Sequence, residues 1–314
     1  MSQPLPGTRI KVLHADLRDA LISEGLPLVL DGAMGTELLR RGVPTPLPLW
    51  SAPALAEHAD IVESIHRDYV SAGCHLVSTN TFRTSWYLME RHNPDAWETW
   101  NRRAVQLARR AAGDRAWVLG SVTTLEDCYR PDLVPEALEL HRYHRRQVDL
   151  LVELGVDGLL LETFNTLREL DAAFDAAARH DLPVLASVVL RDAAHLYDRT
   201  PLAGLIQWAR RARPDVLCVN CASPETLDGA VRWLREYLDV PVGAYANVGR
   251  SGGEMGFVFT RAYSPGDYAR WCVRWTRLGV RVIGGCCGTT PDHMRAAASA
   301  VRHARRANEV RTQS

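Results

Sequence analysis

The sequence predicts an α/β fold, a (β/α)8 TIM barrel closed as a single domain. Three observations carry that reading. Eight short runs rich in leucine and β-branched side chains alternate with longer stretches of helical period, the pattern of parallel strands joined by crossover helices. Helical stretches end at Gly73, Gly155 and Gly279, and in the last two cases a strand follows at once. The strand ends carry carboxylates, amides and thiols, and barrels of this kind keep their chemistry at the C-terminal ends of their strands.

Residues 1–26 read as an N-terminal extension with one short helix, HADLRDALISEG, suited to plugging the barrel floor. The barrel occupies 27–302, and 303–314 form a polar tail. The expected strands are LVLDGAM (28–34), HLVSTNTF (75–82), WVLGSV (117–122), GLLLETF (158–164), PVLASVVL (183–190), VLCVNC (216–221), PVGAYANV (241–248) and VRVIGGCC (280–287). Between the first two, residues 52–73 read as one helix with Leu55, Ile61, Ile65 and Tyr69 on a common face. The last helix begins at TTPDHM, with Thr290 as N-cap and Pro291 at the first helical position.

Composition narrows the function. Hydrophobic residues make up 46% and charged residues 24%, the balance of a globular protein. The formal net charge of zero argues against a nucleic-acid or anionic-membrane partner. No apolar run approaches the roughly 18 residues of a membrane span, and the N-terminus lacks the pattern of a secretory signal, so the expected location is cytoplasmic. Seven cysteines, an odd number, suit free thiols in a reducing compartment better than a disulfide framework.

The strand ends deliver Asp31 followed by Gly32, Asn80, Glu162, Asn220 with Cys221, Asn247, and Cys286 with Cys287. Taken singly, several have bland readings: Asp31 as a turn residue, Asn220 and Asn247 as partners of loop backbone, Cys221 as a small buried hydrophobe like Cys74, Cys218 and Cys272. Cys128 is a thiol on the same rim without an assigned role. Glu162, directly after three leucines, is headed for burial and needs a partner. Cys286 and Cys287, freed by Gly284, Gly285 and Gly288, can turn both sulfurs toward one point, and Cys221 lies two strands away. Three thiolates without an obvious fourth ligand describe a catalytic zinc site with an open position, suited to activating a thiol substrate. Asp31 and Glu162 then offer negative charge to a substrate ammonium group, and the backbone amides of DGAMGT offer donors to a carboxylate.

LDGAMGTELLRRG, STNTF, LLLETF, VNCASPE and IGGCCGTTPDHM together resemble the homocysteine S-methyltransferase family, in order and across almost the whole chain. The resemblance implies a barrel in which Cys221, Cys286 and Cys287 hold zinc and Asp31 and Glu162 receive the homocysteine amino group. It implies methionine as product. Departures fall on the donor side: Arg83 stands where the betaine enzymes have an aromatic residue, which disfavours a quaternary ammonium donor, and Ala246 replaces a common proline. The expected donor is a sulfonium, S-methylmethionine or S-adenosylmethionine, with Arg83 as partner of its carboxylate. Two alternatives stay open: a separate methyl-corrinoid protein or another methyl donor, and a zinc- and homocysteine-binding protein without turnover. Trp86, Trp97 and Trp100 read as helix-packing residues, with a sulfonium cage as their second reading.

Overall fold

Alternation of side chains with period two decides what each strand buries, and here both faces are apolar at the bottom of the sheet. The computed structural model describes residues 16–23, 25–251, 257–258 and 262–312. Its barrel strands are β1 (Leu28–Val29), β2 (Leu76–Ser78), β3 (Trp117–Val122), β4 (Gly158–Phe164), β5 (Val184–Asp192), β6 (Val216–Asn220), β7 (Val242–Ala246) and β8 (Val282–Gly285). They pair in parallel from β2 through β3, β4, β5, β6, β7 and β8 to β1. A single bridge, Leu30 to Leu76, joins β1 back to β2 and closes the ring.

The helices are α1 (Leu17–Ile22), α2 (Gly35–Arg40), α3 (Ala54–Glu57), α4 (Ala59–Ala72), α5 (Trp86–His92), α6 (Trp97–Ala112), α7 (Ala137–Glu153), α8 (Leu167–Ala177), α9 (Leu202–Ala212), α10 (Pro224–Tyr237), α11 (Pro265–Arg277) and α12 (Pro291–Thr312). Outward strand residues such as Leu159, Leu161, Val219 and Ile283 form one large core with them. Inward residues Leu30, Leu76, Trp117, Leu119, Leu160, Leu185, Val216 and Val282 form a second core inside the barrel, into which α1 inserts Leu17 and Leu21. None of the described helices is long and apolar enough to cross a membrane.

Several expected boundaries shift for identifiable reasons. β3 and β4 have the expected limits, but β1 is short: Asp31 makes the last backbone bonds to the neighbouring strands, to Leu76 and Gly285, and Gly32, Ala33 and Met34 line the cavity instead. β2 stops at Ser78 because the Asp31 carboxylate accepts the Ser78 N–H at 3.0 Å, and Thr81 N–H turns back onto the Thr79 carbonyl at 2.7 Å. The helix expected over 52–73 is two, broken at His58 with φ −140° and ψ 42°. Gly73 closes α4 with φ 102°, a left-handed conformation that glycine adopts without strain. Thr290 does precede Pro291, but its hydroxyl lies 2.9 Å from His293 Nδ1.

Candidate active site

The interior of the barrel changes character halfway up. Along β3 the inward positions run Trp117, Leu119, Ser121, along β4 Leu160, Glu162, and along β6 Val216, Cys218, Asn220. Each strand therefore delivers apolar side chains to the floor and a polar one toward the mouth, as the sequence leads one to expect of such a barrel.

At the mouth, Cys221, Cys286 and Cys287 converge. Cys221 Sγ lies 3.1 Å from Cys286 Sγ and 3.9 Å from Cys287 Sγ, and the three sulfurs fall within 4.8 Å of one another. Backbone conformation aims them. Cys221 has φ 56°, a left-handed conformation uncommon for a residue other than glycine, and its N–H still reaches the Tyr245 carbonyl at 3.3 Å. On β8's extension, Cys286 N–H bonds the Ala246 carbonyl at 2.9 Å, while the Cys287 carbonyl accepts from Val248 N–H at 3.0 Å. Gly288 with φ 83° turns the chain into α12, and its N–H is held by the Thr36 hydroxyl at 2.9 Å.

Three soft sulfur donors at this spacing are a set that can hold a metal ion. Without one, Cys221 is the most acidic thiol: hydrogen bonds from Cys286 and then Cys287 pull it well below the usual thiol range. The Cys286 thiol is correspondingly pushed up, chiefly by its bond to Cys221. The remaining cysteines, Cys74, Cys218 and Cys272, are buried free thiols raised by burial. Cys128 is also buried and free, and it lines the same cavity as the cluster.

That cavity, about 170 Å³, is lined by Asp31, Gly32, Asn80, Arg83 and Glu162 as well as by the three cysteines. Asp31 accepts the Ser78 N–H at 3.0 Å and the Ser78 hydroxyl at 3.1 Å, and Glu162 accepts the Ser121 hydroxyl. Neither carboxylate pairs with a basic side chain among the described residues. Burial accordingly pushes Asp31 well above the usual carboxylate range, against the two Ser78 hydrogen bonds and with repulsion from Glu162 added. Glu162 is pushed up to about 7, again mainly by burial. A β-bulge at this point, with Thr163 at φ 64°, lets Glu162 and the Thr163 hydroxyl both face the interior while Phe164 returns to the outer core.

Other expected site residues take different stations. Asn80 lines the cavity but is bound both ways to Ser51, accepting its hydroxyl and donating to its carbonyl at 3.0 Å. Gly32 permits close packing: a Cβ there falls 2.7 Å from both the Thr289 hydroxyl and the Tyr69 hydroxyl. Of the DGAMGT amides, that of Ala33 donates to the Thr289 hydroxyl at 3.3 Å. Asn220 stands behind the cavity, donating to Thr163 Oγ1 and accepting from the Ser187 hydroxyl, both at 2.8 Å, with its Nδ2 3.9 Å from Cys286 Sγ. Asn247 is buried beside Cys221. Arg83 is nearly buried on the rim, donating to the Glu126 carbonyl at 3.1 Å with its guanidinium 5.5 Å from the Phe82 ring centre.

The tryptophans pack between helices. Trp86 and Trp97 meet edge to face at 5.2 Å, and Arg146 already covers both, 3.9 Å and 4.5 Å from their ring centres; Trp100 belongs to the outer core. Ser78 and Ser121, which hold the two carboxylates, and Tyr129 are site residues absent from the sequence expectations. Tyr129, in the loop after β3, places its hydroxyl 3.2 Å from Cys221 Sγ.

The family model described as homocysteine S-methyltransferase matches residues 28–301, the whole barrel. The chain belongs to the homocysteine S-methyltransferase family. Among curated relatives, a homocysteine S-methyltransferase of Escherichia coli K12 is 30% identical, with 87% of this chain and 94% of the relative aligned. The S-methylmethionine–homocysteine S-methyltransferase BHMT2 of Pongo abelii is 29% identical over 88% of this chain and 79% of its own length. The crystal structure of the homocysteine methyltransferase MmuM from E. coli in its metallated form superposes with a TM-score of 0.77 at 29% identity, covering 89% of this chain and 98% of that one. The E. coli enzyme thus shares this barrel over almost its whole length, and the mouth of the barrel is where the present chain's polar and thiol groups gather.

Proposed function

We propose that this family member is a zinc-dependent S-methyltransferase that moves a methyl group from a sulfonium, S-methylmethionine or S-adenosylmethionine, to the sulfur of homocysteine, giving methionine. The observation that carries the reading is the meeting of three thiols and two carboxylates without a cationic partner, Asp31 buried and Glu162 half-buried, in one cavity. Zinc held by Cys221, Cys286 and Cys287 supplies the charge that keeps a substrate thiol deprotonated at neutral pH, where a free thiol of pKa roughly 8.5 is mostly protonated.

The chain's own groups do the rest. Asp31 and Glu162 receive the homocysteine ammonium group, whose charge restores the ionised state that burial opposes. Ser78 and Ser121 fix the two carboxylates in direction. Arg83 offers the rim a cation for the donor's own carboxylate and is a poor neighbour for a quaternary ammonium. In the transfer, the donor's S–CH3 bond breaks with its electron pair going to the donor sulfur, while the homocysteine sulfur forms the new bond. The donor leaves as a neutral thioether. We assign the reaction to the cytoplasm, a reading supported by seven free cysteines.

The test is steady-state turnover of zinc-loaded protein with homocysteine and a panel of donors. Methionine is expected from S-methylmethionine, and Arg83→Ala is expected to raise the donor KM more than the homocysteine KM. Turnover with betaine alone, or only after addition of a methyl-corrinoid protein, overturns the donor assignment.

A further inference from the structure

A site that presents an electrophilic methyl group to a cluster of thiolates has a chemical liability: its own cysteine sulfurs are nucleophiles too. Methylation of one of them converts a thiolate ligand into a thioether and disables the site. Discrimination between substrate sulfur and protein sulfur must therefore come from what each protein sulfur touches.

Cys286 has the Asn220 amide at 3.9 Å, a long contact. Cys221 has a much closer neighbour, the Tyr129 hydroxyl at 3.2 Å, reaching it from 92 residues away in the chain. Asn247 is the other side chain beside it, apart from the two cysteines. Tyr129 lines the same cavity as the cluster. Its placement is built. Asp127 Oδ1 accepts the Tyr129 N–H at 2.8 Å, the Asp127 carbonyl is held by Asn165 Nδ2 at 3.2 Å, and the Tyr129 ring packs edge to face on Tyr197 at 5.2 Å. A thiolate has no proton to give, so in the working site the phenol is the donor.

We propose that Tyr129 is a positioning residue that donates a hydrogen bond to the Cys221 thiolate, draws electron density from it, and so shields that ligand from methylation while the substrate sulfur stays reactive. The inference rests on the reading of Cys221 as a metal-held thiolate. A hydrogen bond to a charged sulfur ties up the lone pair that would attack, and it occupies space on the approach to that sulfur.

The experiment uses Tyr129→Phe, which keeps the ring against Tyr197 and removes only the hydroxyl. Zinc-loaded wild type and variant are exposed to iodomethane, a methyl electrophile independent of the natural donor, and the modified cysteine is located by peptide mass spectrometry. Methylation of Cys221, forming a thioether and releasing iodide, is expected about tenfold faster in the variant, with Cys286 and Cys287 unchanged. In the cobalt(II)-substituted proteins the thiolate-to-metal charge-transfer band is expected at lower energy in the variant. Equal Cys221 methylation rates, an unmoved band, or loss of zinc by the variant alone overturns the proposal, the last by assigning Tyr129 to holding the cluster together. A wild type that takes up no zinc instead fails the proposed function.

Discussion

Glu162 is a carboxylate whose surroundings oppose its own charge: it is half-buried at the barrel mouth, it accepts a hydrogen bond from the Ser121 hydroxyl, and desolvation pushes it up to about 7. An ammonium group in the cavity reverses that balance, because a nearby opposite charge favours the ionised form. Glu162→Gln keeps the shape and removes the charge, so homocysteine affinity is expected to fall by on the order of 2 to 5 kcal/mol with zinc content unchanged. Calorimetric titration of the zinc-loaded variant checks it; unaltered affinity ends the assignment. Legibility at this scale follows local context. Cys286 and Cys287 announce themselves because adjacent thiols between glycines have no packing explanation, and Glu162 because it follows three leucines. Ser78 and Ser121 are legible from the inward alternation that continues from Leu76 and from Trp117 and Leu119, since each falls on the barrel-facing side of its strand. Tyr129 was not recoverable, since its loop has no periodicity and its partner lies on another strand.

At the scale of elements, the seam between β1 and β2 is where sequence and structure diverge most. The extended pattern continues through DGAM and TNTF, but the ladder ends as soon as side chains replace its partners, and no propensity rule sees that exchange. β3 and β4, paired over four residues with ordinary ladder bonds, keep the limits their sequence suggests. The seam also depends on a titratable side chain. His75 Nδ1 accepts the Val29 N–H at 3.0 Å, and the His75 N–H donates to the Val29 carbonyl at 2.7 Å. Burial, assisted by the Arg302 guanidinium, lowers His75 from 6.5 to about 4. A depressed folded-state pKa means that the unfolded chain binds the proton more readily, so this contribution is fully present above pH 6.5 and is lost as pH falls to about 4. The full span is worth about 3 kcal/mol. Glu162 acts in the opposite sense between pH 4.5 and about 7, and His66, also lowered to about 4 by burial, acts in the same sense, so the wild-type profile alone does not isolate the effect. The difference isolates it: His75→Asn, which keeps an acceptor and cannot titrate, is expected to gain about 3 kcal/mol on wild type between pH 7 and pH 4. Chemical denaturation at both values measures this, and a constant difference excludes the seam as an acid-labile point.

At the scale of the whole molecule, the barrel divides its two ends between different tasks. The mouth holds the strained and polar groups, Cys221 and Thr163 at positive φ and two carboxylates kept from their usual ionisation, and such features persist only when the surrounding structure over-determines them. The floor supplies that constraint. α1 lies across it, tied by ion pairs from Arg18 to Asp215 at 2.9 Å and Asp181 at 3.0 Å, while Arg281 Nε donates to the Leu21 carbonyl at 3.4 Å. These ion pairs are exposed or partly so and contribute little by themselves. Leu21 is the stronger anchor, fully buried among the starts of the strands in the inner core. Leu21→Ala removes its packing where the ring of strands cannot collapse to fill the space, and a loss of about 2 to 5 kcal/mol is expected. That is a large part of the roughly 5 to 15 kcal/mol that holds a typical domain folded. Because Leu21 touches the strand starts and the cysteines stand at the strand ends, zinc stoichiometry and homocysteine affinity of the folded variant are expected to match wild type. Urea denaturation alongside metal analysis separates the two ends: a lower midpoint with an intact site means that the floor stabilises without shaping the chemistry, whereas loss of zinc at unchanged stability means that the inner core transmits its packing up to the mouth.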